Sequence, residues 1–574
     1  MIKEGEKEAH NNKKQSFMSG VLTILIAQIV IKVLGLVYRL VITNIPYFGD
    51  EGNGLYSAGY QIYTLLLAVA SIGVPNAIAK LVSERIAQGK NREAHDIFKT
   101  ALILFGIIGF VGSTFLFCGA EFIALKIGNI AVKGIMQALA PAVFFVAVSA
   151  VIRGYFNGMY NMKVTSRSQM LEQLFKSVLT ILLVVVVYSL AVANPNKISE
   201  MFNLSVENVT VTMAVAANAA STIAATLCTG YLLLYYQKVK KEIWRDIRNS
   251  KGEYKKEKRT KIMKTILAVS IPISLASIVA AINRNIDTFT VMNGLKVALQ
   301  GMYDSAEMIT NEATRLYGIL SGRVDTLIGL PTAINVAFAT ALVPAVSESM
   351  AKGDEKTAKK RVTFSFRTTL LIALPCAIGM AVLAEPILDL LFPNVHATEA
   401  PRLLQISAFT IIFTLINQTI GGALQGLGKV MVPAASMACG AIVKLILNLT
   451  LIRNPQIGIY GAAFSSVASS CTVTIIEMLI LTRTLKFANS KTQMIFKPLL
   501  ATLVMGMAAY GSHWLVATYF FNNAITTLIA IFVAVVVYFV AILGLKIFDR
   551  DDYHMLPYGD KIYKFLEKLK LVKS

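Results

Sequence analysis

About fourteen apolar segments, each close to the length that a helix needs to cross a bilayer, succeed one another along the 574 residues of this chain. Backbone groups in lipid must be hydrogen-bonded within their own segment, which favours helices. Hydrophobic residues make up 55% of the sequence and charged residues only 15%, which is too apolar for one soluble domain. The sequence therefore predicts an all-α polytopic membrane protein, with spans at residues 17–45, 55–79, 94–118, 132–157, 168–192, 209–235, 262–292, 316–345, 363–384, 403–425, 431–453, 458–483, 496–520 and 525–547.

The basic residues lie mainly between these spans. Placing the amino terminus inside puts about 40 of the 55 lysines and arginines in cytoplasmic segments and about 8 in external ones. The net charge of +22 is therefore a topology signal and not a nucleic-acid-binding face. We expect a multi-pass protein of the cell membrane, with both termini in the cytoplasm, a retained first span and no nucleic-acid partner.

One stretch of the sequence occurs twice. Two glycines four residues apart are followed by a lysine, and the two copies are 268 residues apart: Gly154, Gly158 and Lys176, then Gly422, Gly426 and Lys444. Two further echoes have smaller offsets, with 83–89 matching 347–353 at 264 and Gly73-Val74-Pro75 matching Gly329-Leu330-Pro331 at 256. Glycine pairs are typical of close helix packing, and prolines within spans, including Pro272, mark kinks that are static or used in transport. Two related halves in a membrane chain favour a transporter with its binding site between them.

The repeat and the charge pattern predict six segments. They are a cytoplasmic tail (1–16), an amino-terminal lobe (17–236), a basic cytoplasmic linker (237–264), a carboxy-terminal lobe (265–484), two further spans (485–547) and an amphipathic cytoplasmic tail (548–574).

Charged side chains within the spans point to function, because charge is costly in lipid. They include Lys32, Arg39, Arg153, Glu172, Lys176, Arg284, Asp287, Lys444 and Glu477. Helical spacing allows Glu172 to pair with Lys176 and Arg284 with Asp287. These residues could therefore form ion pairs that only hold helices together, or they could bind a substrate, and the sequence leaves both roles open. Cations outnumber anions in this set, which favours a phosphate-bearing substrate over a cationic one.

The five cysteines and five histidines are scattered singly. This distribution predicts neither a disulfide framework nor a metal site. The sequence also contains no G-x-x-x-x-G-K-[ST] motif, and we expect no cofactor.

Several segments in combination resemble the SpoVB/YtgP branch of the polysaccharide-transporter group, which belongs to the MOP flippase superfamily with MurJ and the MATE exporters. The segments are Lys32-Val-Leu-Gly-Leu-Val-Tyr-Arg39, Gly49-Asp-Glu-Gly-Asn-Gly-Leu-Tyr56, Lys80-Leu-Val-Ser-Glu-Arg-Ile-Ala87, Arg153-Gly-Tyr-Phe-Asn-Gly158 with Glu172-Gln173, and Leu424-Gln-Gly-Leu-Gly-Lys429. The resemblance covers nearly the whole chain.

The resemblance implies two pseudo-symmetric six-helix lobes around a central cavity, followed by two carboxy-terminal helices. It also implies that the protein flips undecaprenyl-pyrophosphate-linked sugars, lipid II above all, from the inner to the outer leaflet, in the synthesis of peptidoglycan or other wall polysaccharides. The first helix of MurJ-like proteins carries an arginine followed by an aspartate. This chain has Tyr38-Arg39 there, so the charge is shifted and the acid is missing.

Some relatives hold sodium on the seventh and eleventh helices, and the eleventh span of this chain offers Lys444 and Asn448. An ammonium group disfavours a bound cation, so we expect Lys444 to replace the ion and to pair with Asp287 during the cycle. The substrate-binding residues predicted overall are Arg39, Lys32, Arg284, Arg153, Glu172 and Gln173, and the coupling or gating residues are Asp287, Lys444, Asn448 and Lys176.

Two other functions remain open. A MATE-like drug or cation exporter needs an acidic cavity, whereas the one predicted here is basic. A membrane-embedded glycan polymerase or ligase needs a large external loop with convergent carboxylates or histidines, and the short loop with Glu385, Asp389 and His396 is the only candidate. We therefore expect a monomeric, non-enzymatic flippase whose partners are a lipid-linked glycan and membrane lipids.

Overall fold

The computed structural model describes residues 27–193, 209–250, 254, 257–485, 495–519, 522–547 and 567. These residues are almost entirely helical and include no strand beyond an isolated bridge between Gln300 and Tyr303. The predicted tails at 1–16 and 548–574 lie outside the described residues, except for Glu567. The all-α prediction is confirmed.

The helices are numbered here in chain order. They are α1 (27–43), α2 (Gly49–Leu67), α3 (Val74–Ala87), α4 (Asn91–Ile127), α5 (Val132–Gly158), α6 (Met162–Ala193), α7 (Val209–Arg248), α8 (Arg259–Ala298), α9 (Ala306–Gly318), α10 (Asp325–Ala351), α11 (Glu355–Val382), α12 (Ala384–Leu391), α13 (Glu399–Gly426), α14 (Met431–Leu451), α15 (Tyr460–Leu485), α16 (Lys497–Ala517) and α17 (Asn523–Gly544). Two π-helical turns, Ala68–Ile72 and Ile319–Val324, join α2 to α3 and α9 to α10.

Eleven helices among the described residues are long and apolar enough to cross a membrane. Their outward faces are apolar too: Phe110, Phe115 and Phe122 of α4 are all exposed on the protein surface. Phenylalanines exposed along one helix are stable in contact with lipid, whereas in water such an apolar surface would favour aggregation. The count of fourteen spans stays a prediction.

The first compact unit extends from Met1 to Gly322. Helix α5 is its most buried span and contacts α3, α4 and α7 around a core that includes Ile78, Phe98, Ile152 and Phe156. Helices α8 and α9 also belong to this unit, α8 through contacts with α3 and α4 and α9 through contacts with α2. The second unit, from Arg323 to Ser574, places α13 against α10, α11 and α15, and α16 against α11 and α17.

Residues 237–264, predicted as a linker between lobes, are largely helical. Helix α7 continues to Arg248 and α8 begins at Arg259. Two described residues between them contact α4 and the turn before it: the Ser250 hydroxyl donates to the Gly89 carbonyl, and the Tyr254 hydroxyl donates to Asp96 Oδ2 at 2.9 Å. The division into lobes at this segment stays a prediction.

The internal repeat is visible as matching close approaches in the two units. A Cβ atom on Gly154 or Gly158 of α5 would lie 2.9 Å from the Pro75 carbonyl oxygen or 2.7 Å from Val82 Cβ of α3, respectively. In the second unit, a Cβ atom on Gly422 of α13 would lie 2.7 Å from the Ala339 carbonyl oxygen of α10, and one on Gly426 would lie 2.8 Å from Val346 Cβ. The glycine offsets are 268 (422 − 154, 426 − 158), and those of their contacts are 264 (339 − 75, 346 − 82). Glycine lets the backbones approach closely at each of these positions.

The same contacts correct one predicted equivalence. The packing counterpart of Pro75 is Ala339, so the Gly-x-Pro motifs at offset 256 are not equivalent. Gly73 lies against Ser274 of α8, whereas a Cβ on Gly329 would meet nothing within 4 Å among the described residues.

Candidate functional site

Arg39 of α1 is a buried guanidinium, 6% exposed, with an unused donor. Its Nη2 donates to the Ser57 hydroxyl of α2, and its Cζ lies 4.6 Å from the centroid of the Tyr56 ring. Its Nη1 is also buried and has no hydrogen-bond partner among the described residues. A buried donor without a partner is costly, so this side chain is prepared to bind an acceptor.

Lys176 of α6 is the second buried cation, 8% exposed. Its Nζ lies 3.8 Å from the centroid of the Tyr60 ring and 5.8 Å from that of Tyr38. The Tyr38 and Tyr56 hydroxyls are 3.2 Å apart, and the rings of Tyr56 and Tyr60 stack at 5.7 Å. Neutral aromatic faces attract the ammonium without neutralising its charge.

The predicted pairing of Glu172 with Lys176 is wrong. Glu172 Oε2 instead accepts from Arg153 Nη2 of α5 at 2.5 Å. Arg153 also donates from Nε to Ser168 Oγ at 2.9 Å and from Nη2 to Cys228 Sγ at 3.2 Å. The pair therefore connects α5, α6 and α7, and a helix-locking role accounts for its contacts.

Lys32 and Arg284 form an exposed cationic tier. Both residues have solvent-accessible surface, on α1 and α8, although protein surrounds most of each charged group, and their like charges repel. The predicted ion pair between Arg284 and Asp287 is not formed, since no described carboxylate lies at ion-pair distance from Arg284. Asp287 is half-buried and has other interactions.

Gln173 belongs to the contact between α6 and α1. Its Nε2 donates to the Ser177 hydroxyl at 3.3 Å, and that hydroxyl donates to the Leu34 carbonyl at 3.4 Å. One turn earlier, Gln28 Nε2 donates to Gln169 Oε1 at 3.4 Å. These hydrogen bonds hold α6 against α1, and Lys176 of α6 lies beside the rings of Tyr38 and Tyr60.

Lys32, Arg39, Lys176 and Arg284 lie on membrane helices of the first unit, and none of the four has an ion pair with a described carboxylate. We call them the cation set. Two of these four cations are buried, and an anion would neutralise their charge. The sequence singled out Lys32, Arg39 and Arg284 as substrate-binding residues and Lys176 as a gating residue, and these roles stay predictions; it did not single out Tyr56 or Tyr60, whose rings lie against Arg39 and Lys176. The helical spacing of Tyr56, Tyr60 and Tyr63 was the available signal.

In the second unit, Lys444 and Asn448 of α14 are buried. Asn448 Oδ1 accepts from the Ser465 hydroxyl of α15. The described residues contain no group of three or more histidine, cysteine or acidic side chains that could hold a metal ion. The gating roles of Lys444, Asn448 and Asp287, including the predicted pairing of Lys444 with Asp287, stay predictions.

The comparisons with known proteins agree on one family. The family model "Polysaccharide biosynthesis protein" matches residues 17–350, and the MatE model matches residues 323–450. Among curated proteins of Bacillus subtilis (strain 168), the chain is 26% identical to the uncharacterized membrane protein YabM over 97% of this chain and 98% of that one. It is 24% identical to stage V sporulation protein B over 95% and 98%, and 24% identical to lipid II flippase MurJ over 76% and 78%.

Solved structures share the fold. Lipid II flippase MurJ in an inward closed conformation matches with a TM-score of 0.63 at 15% identity, covering 91% of this chain and 98% of that one. An inward-facing multidrug-resistance MATE transporter of the MOP superfamily matches with a TM-score of 0.62 at 14% identity, covering 82% of this chain and 100% of that one. These relatives and the apolar helices make the chain a multi-pass membrane protein. The chain belongs to the polysaccharide biosynthesis protein family, and it is similar to MOP-superfamily flippases of the SpoVB/MurJ type.

Proposed function

We propose that this protein carries an undecaprenyl-pyrophosphate-linked glycan, lipid II or a related cell-wall precursor, from the inner to the outer leaflet by alternating access. The observation that carries the proposal is the cation set, in which Arg39 keeps a buried guanidinium nitrogen without a partner. Arginine presents a planar pair of donors to phosphate oxygens, and lysine acts as a point charge. A pyrophosphate supplies the acceptors and the negative charge that these side chains lack.

The two tiers of cations suggest an order of binding. Lys32 and Arg284 are exposed and repel each other, so an anion that arrives between them removes a repulsion. Arg39 and Lys176 lie deeper, on the tyrosine faces. The pyrophosphate first meets Lys32 and Arg284. Its oxygens then replace the tyrosine rings as the partners of Arg39 and Lys176, while the prenyl chain stays in lipid.

The membrane potential would drive the outward step. An inside-negative potential favours outward movement of an anion by about 2.3 kcal/mol per charge per 100 mV. Transport then needs no built-in ATPase and no catalytic side chain. We place the protein in the cell membrane as a monomer with both termini in the cytoplasm, acting in peptidoglycan or related polysaccharide synthesis and hence in cell-wall biogenesis and cell shape.

A MATE-like exporter is the second candidate, because the MatE model matches residues 323–450. An exporter of cationic drugs would need carboxylates where this chain has the cation set. The two candidates differ in cargo charge, and the same variants test both.

The test is complementation. Cells depleted of their known lipid II flippases receive this chain, and survival and outer-leaflet lipid II are scored. We expect rescue by the wild type and a loss of at least about tenfold in flipping rate for Arg39→Ala, since a hydrogen bond to a charged group contributes about 1.5–3 kcal/mol.

The matched control is Arg402→Ala, since Arg402 also lies over a tyrosine ring, at 5.0 Å from the Tyr460 centroid, but is exposed at the start of α13. Membrane levels of each variant are measured by immunoblot. Full rescue by Arg39→Ala at wild-type levels, or drug export without lipid II in the outer leaflet, would contradict the proposal.

A further inference from the structure

The contact between α14 and α15 contains a buried acid that the proposed transport does not use. Glu477 of α15 is 1% exposed, and its Oε1 lies 2.9 Å from Ser436 Oγ of α14. Its Oε2 is buried and has no hydrogen-bond partner among the described residues. Glu477 also forms no ion pair with any described residue. A carboxylate in this position would be a charge in the membrane with a single hydroxyl to stabilise it, which is costly.

Few charged groups face this acid. Helix α14 contributes only Lys444 and Cys439 between its ends, and Lys444 is eight residues from Ser436, about 12 Å along the helix axis. Helix α13 has no charged residue after Arg402. On α15 itself, the titratable neighbours are Cys471 and, six residues on, Arg483. Lys429, before α14, donates to Thr484 Oγ1, seven residues from Glu477. Among the described residues, no counter-ion therefore lies beside Glu477.

The hydrogen-bond inventory of Ser436 bears on the protonation of Glu477. Its hydroxyl has one hydrogen, but two oxygen atoms lie within bonding distance: the Pro433 carbonyl at 3.0 Å and Glu477 Oε1 at 2.9 Å. A hydroxyl donates one bond and accepts up to two. Both contacts are satisfied together when Ser436 donates to the Pro433 carbonyl and accepts from a protonated Glu477.

The internal repeat supports the same assignment. Ser168 of α6 is the counterpart of Ser436, and Thr165 that of Pro433, both at offset 268 (436 − 168, 433 − 165). The Ser168 hydroxyl donates to the Thr165 carbonyl at 2.8 Å and accepts from Arg153 Nε at 2.9 Å. In the first unit, therefore, a donor side chain supplies the hydrogen bond that the Ser168 oxygen accepts.

In the second unit that donor is absent. The counterparts of Arg153 and Glu172 at offset 268 are Gly421 and Gly440 (421 − 153, 440 − 172). The side chain beside the serine is instead Glu477, which can act as a donor only when it carries a proton. We propose that Glu477 is a proton-binding site: a neutral carboxylic acid that donates to Ser436 and holds α14 against α15.

The direct test is infrared spectroscopy of the purified full-length protein in lipid nanodiscs at neutral pH. A protonated carboxylic acid has a carbonyl stretch at higher frequency than carboxylates and the amide band. We expect this band in the wild type and its loss in Glu477→Gln. The matched control Glu348→Gln removes an exposed carboxylate of the same unit, which lies 2.6 Å from Lys352 Nζ, and should leave the band unchanged. In Ser436→Ala the band should move to higher frequency, because the acid loses its acceptor. Absence of the band in the wild type overturns the proposal, even if Glu477→Gln fails to fold.

A second measurement follows the stability of the protein with pH. A proton held in the folded state and released in the unfolded state makes unfolding more favourable as pH rises, by up to about tenfold in the unfolding equilibrium constant per pH unit. The wild type should therefore lose stability with rising pH faster than Glu477→Gln. Equal pH dependence in the two proteins would show that Glu477 does not hold a proton. Neither readout involves transport, so a failure of the proposed flippase activity leaves both tests intact.

Discussion

The pair formed by Arg153 and Glu172 permits a sharp test of what holds the first unit together. Removing one member of a buried ion pair costs about 3–5 kcal/mol, because the survivor is left charged and without its partner. The two members are not equally buried: the side chain of Arg153 is 9% exposed and that of Glu172 is 27% exposed. The cost should therefore depend on which partner is left behind.

Glu172→Gln leaves the deeply buried guanidinium with only Ser168 and Cys228, and we expect it to lower the free energy of unfolding by about 3 kcal/mol. Arg153→Met leaves a carboxylate that water can reach, and we expect about 1 kcal/mol. The double variant should cost less than the sum by about 1–2 kcal/mol, since each single change removes the same interaction.

The assay is denaturant unfolding of the purified protein in detergent, with the four proteins of the cycle compared at one lipid content. Glu348→Gln is the control. It breaks an exposed pair and should change the unfolding free energy by less than about 1 kcal/mol. The reasoning is refuted if Arg153→Met costs more than Glu172→Gln, or if Glu172→Gln costs no more than the control.

Three further predictions test other parts of the structure. Gly158→Ala and Gly426→Ala should each destabilise the protein by about 1–3 kcal/mol in the same assay, because a Cβ would overlap α3 or α10. Gly230→Ala, whose Cβ would meet nothing within 4 Å, should stabilise α7 by up to about 1 kcal/mol. Equal effects at all three sites would contradict the close approach. Tyr60→Phe should preserve most of the flipping rate and Tyr60→Leu should reduce it, because phenylalanine keeps an aromatic face against Lys176; equal rates for the two variants would contradict a role for that face. Hydrogen bonds from the Thr357 hydroxyl and backbone amide lower the pKa of Asp354, which caps the start of α11. The stability that this cap gives should be present at neutral pH and lost as pH falls through that lowered pKa. The thermal midpoints of wild type and Asp354→Ala should therefore converge in acid, and a constant difference would argue against a charged cap.

The sequence predicted the features that depend on periodicity and composition. Apolar segment length indicated the helices, and the spacing of Gly154 and Gly158 predicted a repeat whose close approaches recur at Gly422 and Gly426. These features are local, since spacing along one helix determines which side chains share a face.

Partner choice between helices could not be read in the same way. Lys176 is one turn from Glu172 on α6, yet Glu172 binds Arg153 of a different helix. A spacing of four residues permits a pair but does not show what the facing helix offers. The tyrosines of α2 illustrate the same limit, because a row of aromatic residues has the same spacing whether it packs in a core or carries a cation.

The two π-helical turns bear on how α3 and α10, which pack against glycines of α5 and α13, could rotate. Each of these turns accommodates one more residue than an α-helical turn would, one of them separated from α3 by Gly73 and the other immediately before α10. Drawing that residue back into regular winding would rotate everything downstream by about 100° and advance it by about 1.5 Å. Because α3 and α10 approach α5 and α13 at glycines, such a screw motion would carry Val82 and Val346 across the glycines that they now contact.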